Sequence, residues 1–205
     1  MGAASHVEGI HEKQVTLAVA RLVRKRLERD GIQVVTTRDA DTYLTLGERV
    51  RRANSSGADL FISLHANAAP DHARRGVETY LLSREVRDLE AQRASRQYGT
   101  GEAIDPVDAM QARAKVRFVA AESARLARSV QQRLSQAREG DRGVRQAPYD
   151  VLEGLTVPAA LVEVGFIDHP TEGMSLLRPE VLRRIADAIA DGVEDFSSTH
   201  DPLAP

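Results

Sequence analysis

The run Asp59-Leu60-Phe61-Ile62-Ser63-Leu64-His65-Ala66-Asn67-Ala68 constrains the fold more than any other part of the chain. Its apolar stretch lies between Gly57 and Asn67, too short for a globular helix, and fits a buried strand of a parallel sheet. His65 then falls at the carboxyl end of that strand, the edge at which open α/β sheets bind ligands. A lone histidine there is ordinarily satisfied inside the core, so its meaning depends on what the rest of the chain brings.

Helical and strand periods alternate on either side of this run. From Glu12 to Asp30, Val15, Val19, Leu22, Val23 and Leu27 recur at three and four, which is one helical face, and Gly31 supplies a stop. Ile32 to Thr37 is β-branched and predicts a strand. Thr45 with Glu48 forms a capping box for a helix that Gly57 ends. Strands are expected again at Gly76–Leu82, weakly at Val151–Leu152, and at Ala159–Val164, whereas Gly140–Gly143 predicts a turn or loop. Residues 83 to 137 predict two helical pieces broken near Gly99–Gly101, and Pro179 starts a helix that reaches Phe196. The sum is an α/β fold: a mixed, mostly parallel twisted sheet of about five strands with helices on both faces.

Length and charge set the outer limits. At 205 residues the expectation is one domain, residues 1–196, with a helical excursion at about 83–118 and a disordered tail over 197–205. With 28 basic and 30 acidic residues, net −2, no bulk charge draws the chain to nucleic acid. The Arg-rich helical stretch is read as a solvated face. Without cysteine, any metal must be held by histidine and carboxylate. Neither a transmembrane segment nor a signal peptide is written in this sequence.

Three residues stand out as carriers of chemistry. Glu12 opens a helix, where a carboxylate also serves as a plain dipole partner. His65 ends a strand. Glu163 interrupts an apolar strand, and a buried ionised carboxylate costs several kcal/mol unless it lies at the strand end or meets a cation. Imidazole and carboxylate suit zinc, and a separate glutamate can take the proton of an attacking water.

At these residues the sequence resembles the zinc-dependent N-acetylmuramoyl-L-alanine amidases of bacteria. Gly9-Ile10-His11-Glu12-Lys13 is similar to the segment carrying the family's glutamate zinc ligand, and Ser63-Leu64-His65-Ala66-Asn67-Ala68 to that of its second zinc histidine. Gly76-Val77-Glu78-Thr79-Tyr80, Asp141-Arg142-Gly143-Val144 and Pro158 to Ile167 resemble later landmarks, with Glu163 on the catalytic glutamate. The resemblance implies hydrolysis of the amide between N-acetylmuramic acid and L-alanine of peptidoglycan, with Zn2+ as cofactor, Glu12 and His65 as metal ligands and Glu163 as catalytic residue. It implies a periplasmic or cell-envelope location and a monomer. A regulatory activator protein is an implied partner, and residues 83–115 are read either as a restraint on the zinc or as an ordinary surface helical pair.

One departure shapes the expectation for activity. The family's opening strand and its Asp-Pro-Gly-His-Gly-Gly type loop, which carries the first zinc histidine, have no counterpart here. The chain therefore reads as starting a few dozen residues late, with His6 or, less readily, His11 as substitutes for that ligand. Two outcomes stay open: a complete secreted enzyme whose start codon was misassigned, or a remnant that binds cell wall without cutting it. A helical adaptor built on residues 83–137 would leave the His65 and Glu163 motifs unexplained.

Overall fold

The computed structural model describes residues 11–97 and 106–198, with the side chains of residues 95–97 left aside. His6, the Gly99–Gly101 break and residues 199–205 lie outside them. In chain order the elements are α1 (Glu12–Arg29), α2 (Leu46–Ser55), β1 (Phe61–Asn67), β2 (Val77–Leu82), α3 (Arg84–Gln97), α4 (Pro106–Ala137), β3 (Asp141–Ala147), β4 (Ala159–Phe166), α5 (Pro170–Ser175) and α6 (Pro179–Ser198). The sheet order is β1-β4-β2-β3, with β1–β4 and β2–β3 parallel and β2–β4 antiparallel. This is the mixed, mostly parallel sheet the alternation predicts.

Period-two side-chain alternation gives the sheet two unlike faces. Ala66 of β1, Val77 and Leu81 of β2, and Ala160, Val162 and Val164 of β4 enter one large core with the apolar stripes of α1, α4 and α6. The α4–α6 crossing is close because Gly192 has no side chain; a Cβ there would stand 2.6 Å from Val130 Cα. The intervening strand residues face the other way. There Leu82, Ala159 and Leu161 form a smaller cluster with Val151 and Leu152, against which Phe61, Tyr80, Tyr149 and Val86 of α3 pack. Helices thus lie on both faces, but the second face is covered only in part.

The capping box forms: Thr45 Oγ1 accepts from the Glu48 amide at 3.2 Å, and Glu48 Oε2 accepts from the Thr45 amide at 2.7 Å. Three expectations fail. Among the described residues the sheet has four strands rather than about five, and Ile32–Thr37 is extended without a ladder. Its alternation is real, with Ile32 and Val34 on the core and Val35 68% exposed, but among the described residues no strand lies beside β1 on its free side to pair with it. Val151–Leu152 is a turn, buried for packing alone. Conversely, the loop expected at Gly140–Gly143 opens edge strand β3. Its charged residues hid it, since its order comes from backbone bonds to β2 rather than from an apolar pattern of its own.

Close approach of β2 and β3 at their starts explains Gly76. Its φ is +106°, and a Cβ would fall 1.9 Å from the Gly140 carbonyl oxygen. A second clamp is buried Glu172, whose carboxylate accepts from the amides of Phe166 (2.7 Å) and Gly76 (3.1 Å) and from Arg138 (2.9 Å). One side chain thereby ties the end of β4 to the start of β2.

Candidate active site

The partly covered face carries a row of ionisable groups at one level of the sheet. His65 of β1 is the Cα partner of Glu163 of β4, and Glu163 is also the partner of Glu78 of β2. Adjacent strands lie about 4.8 Å apart, so the three side chains are immediate neighbours on one face. The site consists of residues that any strand would point away from the core.

Glu12 reaches this row from α1. Its Oε1 stands 2.8 Å from His65 Nδ1 and also takes the Ala66 amide at 3.4 Å. Because β1 packs on α1, the first turn of that helix is delivered to the end of the strand. The other ring nitrogen, Nε2, meets Ser63 Oγ at 3.0 Å, which fixes the imidazole plane. His65 and Glu12 keep side-chain exposures of 33% and 12%, so the pair is open in part to solvent.

Glu163 is 5% exposed, and its Oε2 is buried with no hydrogen-bond partner among the described residues. Burial first, then the charges of Glu12 and Glu78, push its carboxyl pKa up to about 8. An orphaned carboxylate oxygen beside a second carboxylate is costly, and positive charge between Glu12 and Glu163 would relieve it. Glu12 and His65 offer zinc the carboxylate oxygen and imidazole nitrogen it takes. Among the described residues no third metal-ligating side chain completes a group of three, so these residues fit zinc in kind and supply two donors.

Glu78 escaped the reading of the sequence. It is 2% exposed and satisfied on both oxygens: Oε1 accepts from Asn67 Nδ2 (2.7 Å) and Tyr80 OH (3.0 Å), and Oε2 accepts from Arg142 Nε (2.9 Å) and pairs with the Arg145 guanidinium, whose Nε is 3.1 Å away. The signal was the one that marked Glu163, a carboxylate inside an apolar strand. Tyr149, from the turn after β3, packs edge-on against Tyr80 at 5.1 Å. Burial, then Glu163 and Glu78, raise its phenol pKa, which places that ring near the row.

The other described histidines, His11, His72 and His169, take part in local structure. His72, in the left-handed region at φ +51°, bonds Asp168 Oδ2 through Nδ1 at 2.8 Å, and the Ala69 amide donates to the same oxygen at 2.9 Å. That carboxylate fastens the loop after β1 to the end of β4. His169 caps α5, accepting from the Glu172 amide, and exposed His11 is the N-cap residue of α1. The helical excursion is tied to the turn before β4: Glu90 Oε1 accepts from the Gly154 amide at 2.6 Å, and Arg93 pairs with Glu153 at 2.8 Å. No described helix is long and apolar enough to cross a membrane.

Residues 1–195 match the model of a family described as N-acetylmuramoyl-L-alanine amidase. Over 190 residues the chain is 33% identical to the N-acetylmuramoyl-L-alanine amidase LytC of Bacillus subtilis, covering 92% of this chain but 32% of that protein. It is 30% identical over 199 residues to the amidase AmiA of Escherichia coli, covering 92% and 69% of the two. Among solved structures, an N-acetylmuramoyl-L-alanine amidase from Clostridium difficile 630 superposes with a TM-score of 0.76 at 27% identity, over 98% of this chain and 91% of that one.

Proposed function

The chain belongs to the N-acetylmuramoyl-L-alanine amidase family, and from that premise we propose that it hydrolyses the amide between N-acetylmuramic acid and L-alanine in peptidoglycan, with Glu163 moving the proton. The observation that carries this reading is the buried, partnerless Glu163 Oε2 in register with His65, whose Nδ1 meets Glu12. Glu12 and His65 would hold zinc, and zinc so held supplies Lewis acidity toward the amide carbonyl and the attacking water.

The chain's own residues do the rest. Glu163, once ionised, accepts a proton from water at Oε2 as the oxygen attacks the carbonyl carbon, and returns it to the leaving alanine nitrogen. Its surroundings suit both halves of that exchange. A neutral carboxyl is stable in this setting, so the protonated state needed for the second step is not a high-energy one. Neutralising Glu12 with a bound cation removes one cause of the raised pKa and makes the ionised state accessible for the first step. Ser63 holds the imidazole plane and Glu78 the floor beside Glu163.

The envelope is where such a substrate lies, and the action proposed is on cell-wall peptidoglycan outside the cytoplasmic membrane. The test compares Glu163→Gln and His65→Ala with the parent chain for zinc content and muropeptide release. Glu163→Gln is expected to keep metal and lose release, and His65→Ala to lose both. Near-parental release by Glu163→Gln would remove the assignment of the proton to that residue.

A further inference from the structure

Edge strand β3 presents two arginines whose placement the reaction as described leaves unused. Arg142 donates through Nε to Glu78 Oε2 at 2.9 Å, and Arg145 forms an ion pair with the same oxygen, its Nε 3.1 Å away, while its Nε–H donates to the Arg142 carbonyl oxygen at 3.3 Å. Glu78 is a buried anchor rather than a surface partner, since it is 2% exposed and braced from the other side by Asn67 and Tyr80. Arg142 is held further by the Phe166 ring, 5.2 Å below its guanidinium carbon. Asp141, the nearest carboxylate on the same strand, is turned to Gln131 Nε2 at 2.6 Å and to the Gly143 amide at 2.9 Å. Two guanidinium groups thus share one carboxylate and leave a net positive charge. Their side chains are 25% and 48% exposed, and no hydrogen bond from their terminal amino groups to protein is found among the described residues.

The position is as informative as the charge. The row across the sheet runs from Glu12 and His65 through Glu163 and Glu78 to these arginines. From β4 to β3 is two strand spacings, about 10 Å, and an extended residue spans about 3.3 Å. An anion on the arginines would therefore belong to a substrate residue one to three positions from the scissile amide. In a substrate joined through the muramoyl carboxyl, that carboxyl is consumed in the amide, and the sugar's acetamido and hydroxyl groups are neutral. Every carboxylate then lies on the peptide side.

We propose that Arg142 and Arg145, preset by Glu78, form a carboxylate subsite for the stem peptide, so that the peptide lies toward β3 and the muramoyl group toward β1 and α1. The inference rests on the amidase reading for the identity of the substrate. It also fits Glu163's task, because the leaving nitrogen is then on the β3 side of the attacked carbonyl. A terminal guanidinium edge accepts a carboxylate through paired N–H donors, which a point charge does not reproduce.

The test uses N-acetylmuramoyl-L-alanyl-glutamate and the same molecule with both carboxyls as carboxamides. Calorimetry on the full chain gives the binding ratio without requiring turnover, and the zinc-loaded chain gives the ratio of kcat/KM. The parent chain is expected to favour the acid by roughly 10-fold, the size of one solvent-reachable charged hydrogen bond. Arg145→Gln, at a half-exposed position, should bring that preference to within about 2-fold, and Arg142→Lys, which keeps the charge over Phe166, should lower it by roughly 3-fold. Arg142→Gln is a poorer probe, since it strips a buried carboxylate of a donor. Equal affinity of the parent chain for both molecules, or a preference untouched by both variants, overturns the subsite. Charge-dependent binding without hydrolysis would instead sink the amidase reading and leave the subsite standing, and hydrolysis of both molecules at one rate would do the reverse.

Discussion

The two faces of the sheet are made of the same four strands yet follow opposite rules. One face is mostly apolar and largely closed: Ala160, Val162 and Val164 of β4 and Val77 of β2 are buried under α1, α4 and α6. The other, one residue out of step, carries His65, Glu163 and Glu78 in a row, with only a small apolar cluster at its far end. Burial is similarly deep on both, since Glu163 and Glu78 are 5% and 2% exposed. What differs is what the burial does. On the first face it supplies stability, and on the second it sets charge states at some cost to stability. A fold can hold so unfavourable a row because the opposite face of the same strands supports it.

The largest expected effect that separates the faces is kinetic. Glu163→Gln should lower peptidoglycan hydrolysis by roughly 10²- to 10⁴-fold, the range of a lost general acid–base, with the thermal transition kept or raised. Chelation should likewise abolish turnover and leave the far-UV circular dichroism in place, because no core contact depends on metal. A fall in Tm for Glu163→Gln would break the comparison.

Next in size are the core substitutions, which should act in the reverse sense. Leu126→Ala, at a fully buried position on α4, is expected to cost about 2–5 kcal/mol in denaturant unfolding. Turnover per folded molecule should change little. Gly192→Ala should cost about 1–3 kcal/mol by forcing α4 and α6 apart at Val130. A core variant that lost activity before stability would show the two faces to be coupled.

The pH dependence sharpens the contrast further. Glu163 titrates near 8 when folded, against 4.5 for the ordinary carboxyl, so between those values the native state binds the extra proton. Stability of the metal-free chain should therefore be unpenalised below about pH 4.5 and decline as pH rises toward 8, by at most about 5 kcal/mol. Glu163→Gln should flatten this slope, and zinc should weaken it by returning the carboxylate to its ionised form. Parallel unfolding curves for parent and variant from pH 5 to 8 would remove the assignment. The smallest effect is local. Thr45→Ala should cost about 1 kcal/mol by removing the cap of α2, which lies off both faces, and should leave hydrolysis intact.

Much of this was legible in residue order. The three-and-four spacing of Val15, Val19, Leu22, Val23 and Leu27 gave α1, the Thr45–Glu48 box gave the start of α2, and the apolar run before His65 gave β1. Glu12, His65 and Glu163 were singled out from residue type and place, and the structure brings all three together. The misses share one cause. Strand Asp141–Ala147 has no pattern of its own and is ordered by β2, while Ile32–Thr37 has the pattern and no paired strand among the described residues. A hydrogen-bonded ladder is a property of two segments, and one segment's composition does not report its partner.

The sequence alone determined the periods, the caps and the chemical kinds available at the site, because each depends on residues a few positions apart. Register was decided only by the tertiary structure. Setting His65 opposite Glu163 and Glu163 opposite Glu78, and bringing both arginines of β3 onto one buried oxygen, depends on strands up to about a hundred positions apart meeting at one level, which local periodicity does not encode. The charge state of Glu163 belongs to that second class. It follows from what surrounds the carboxyl after folding, and no neighbour in sequence supplies it.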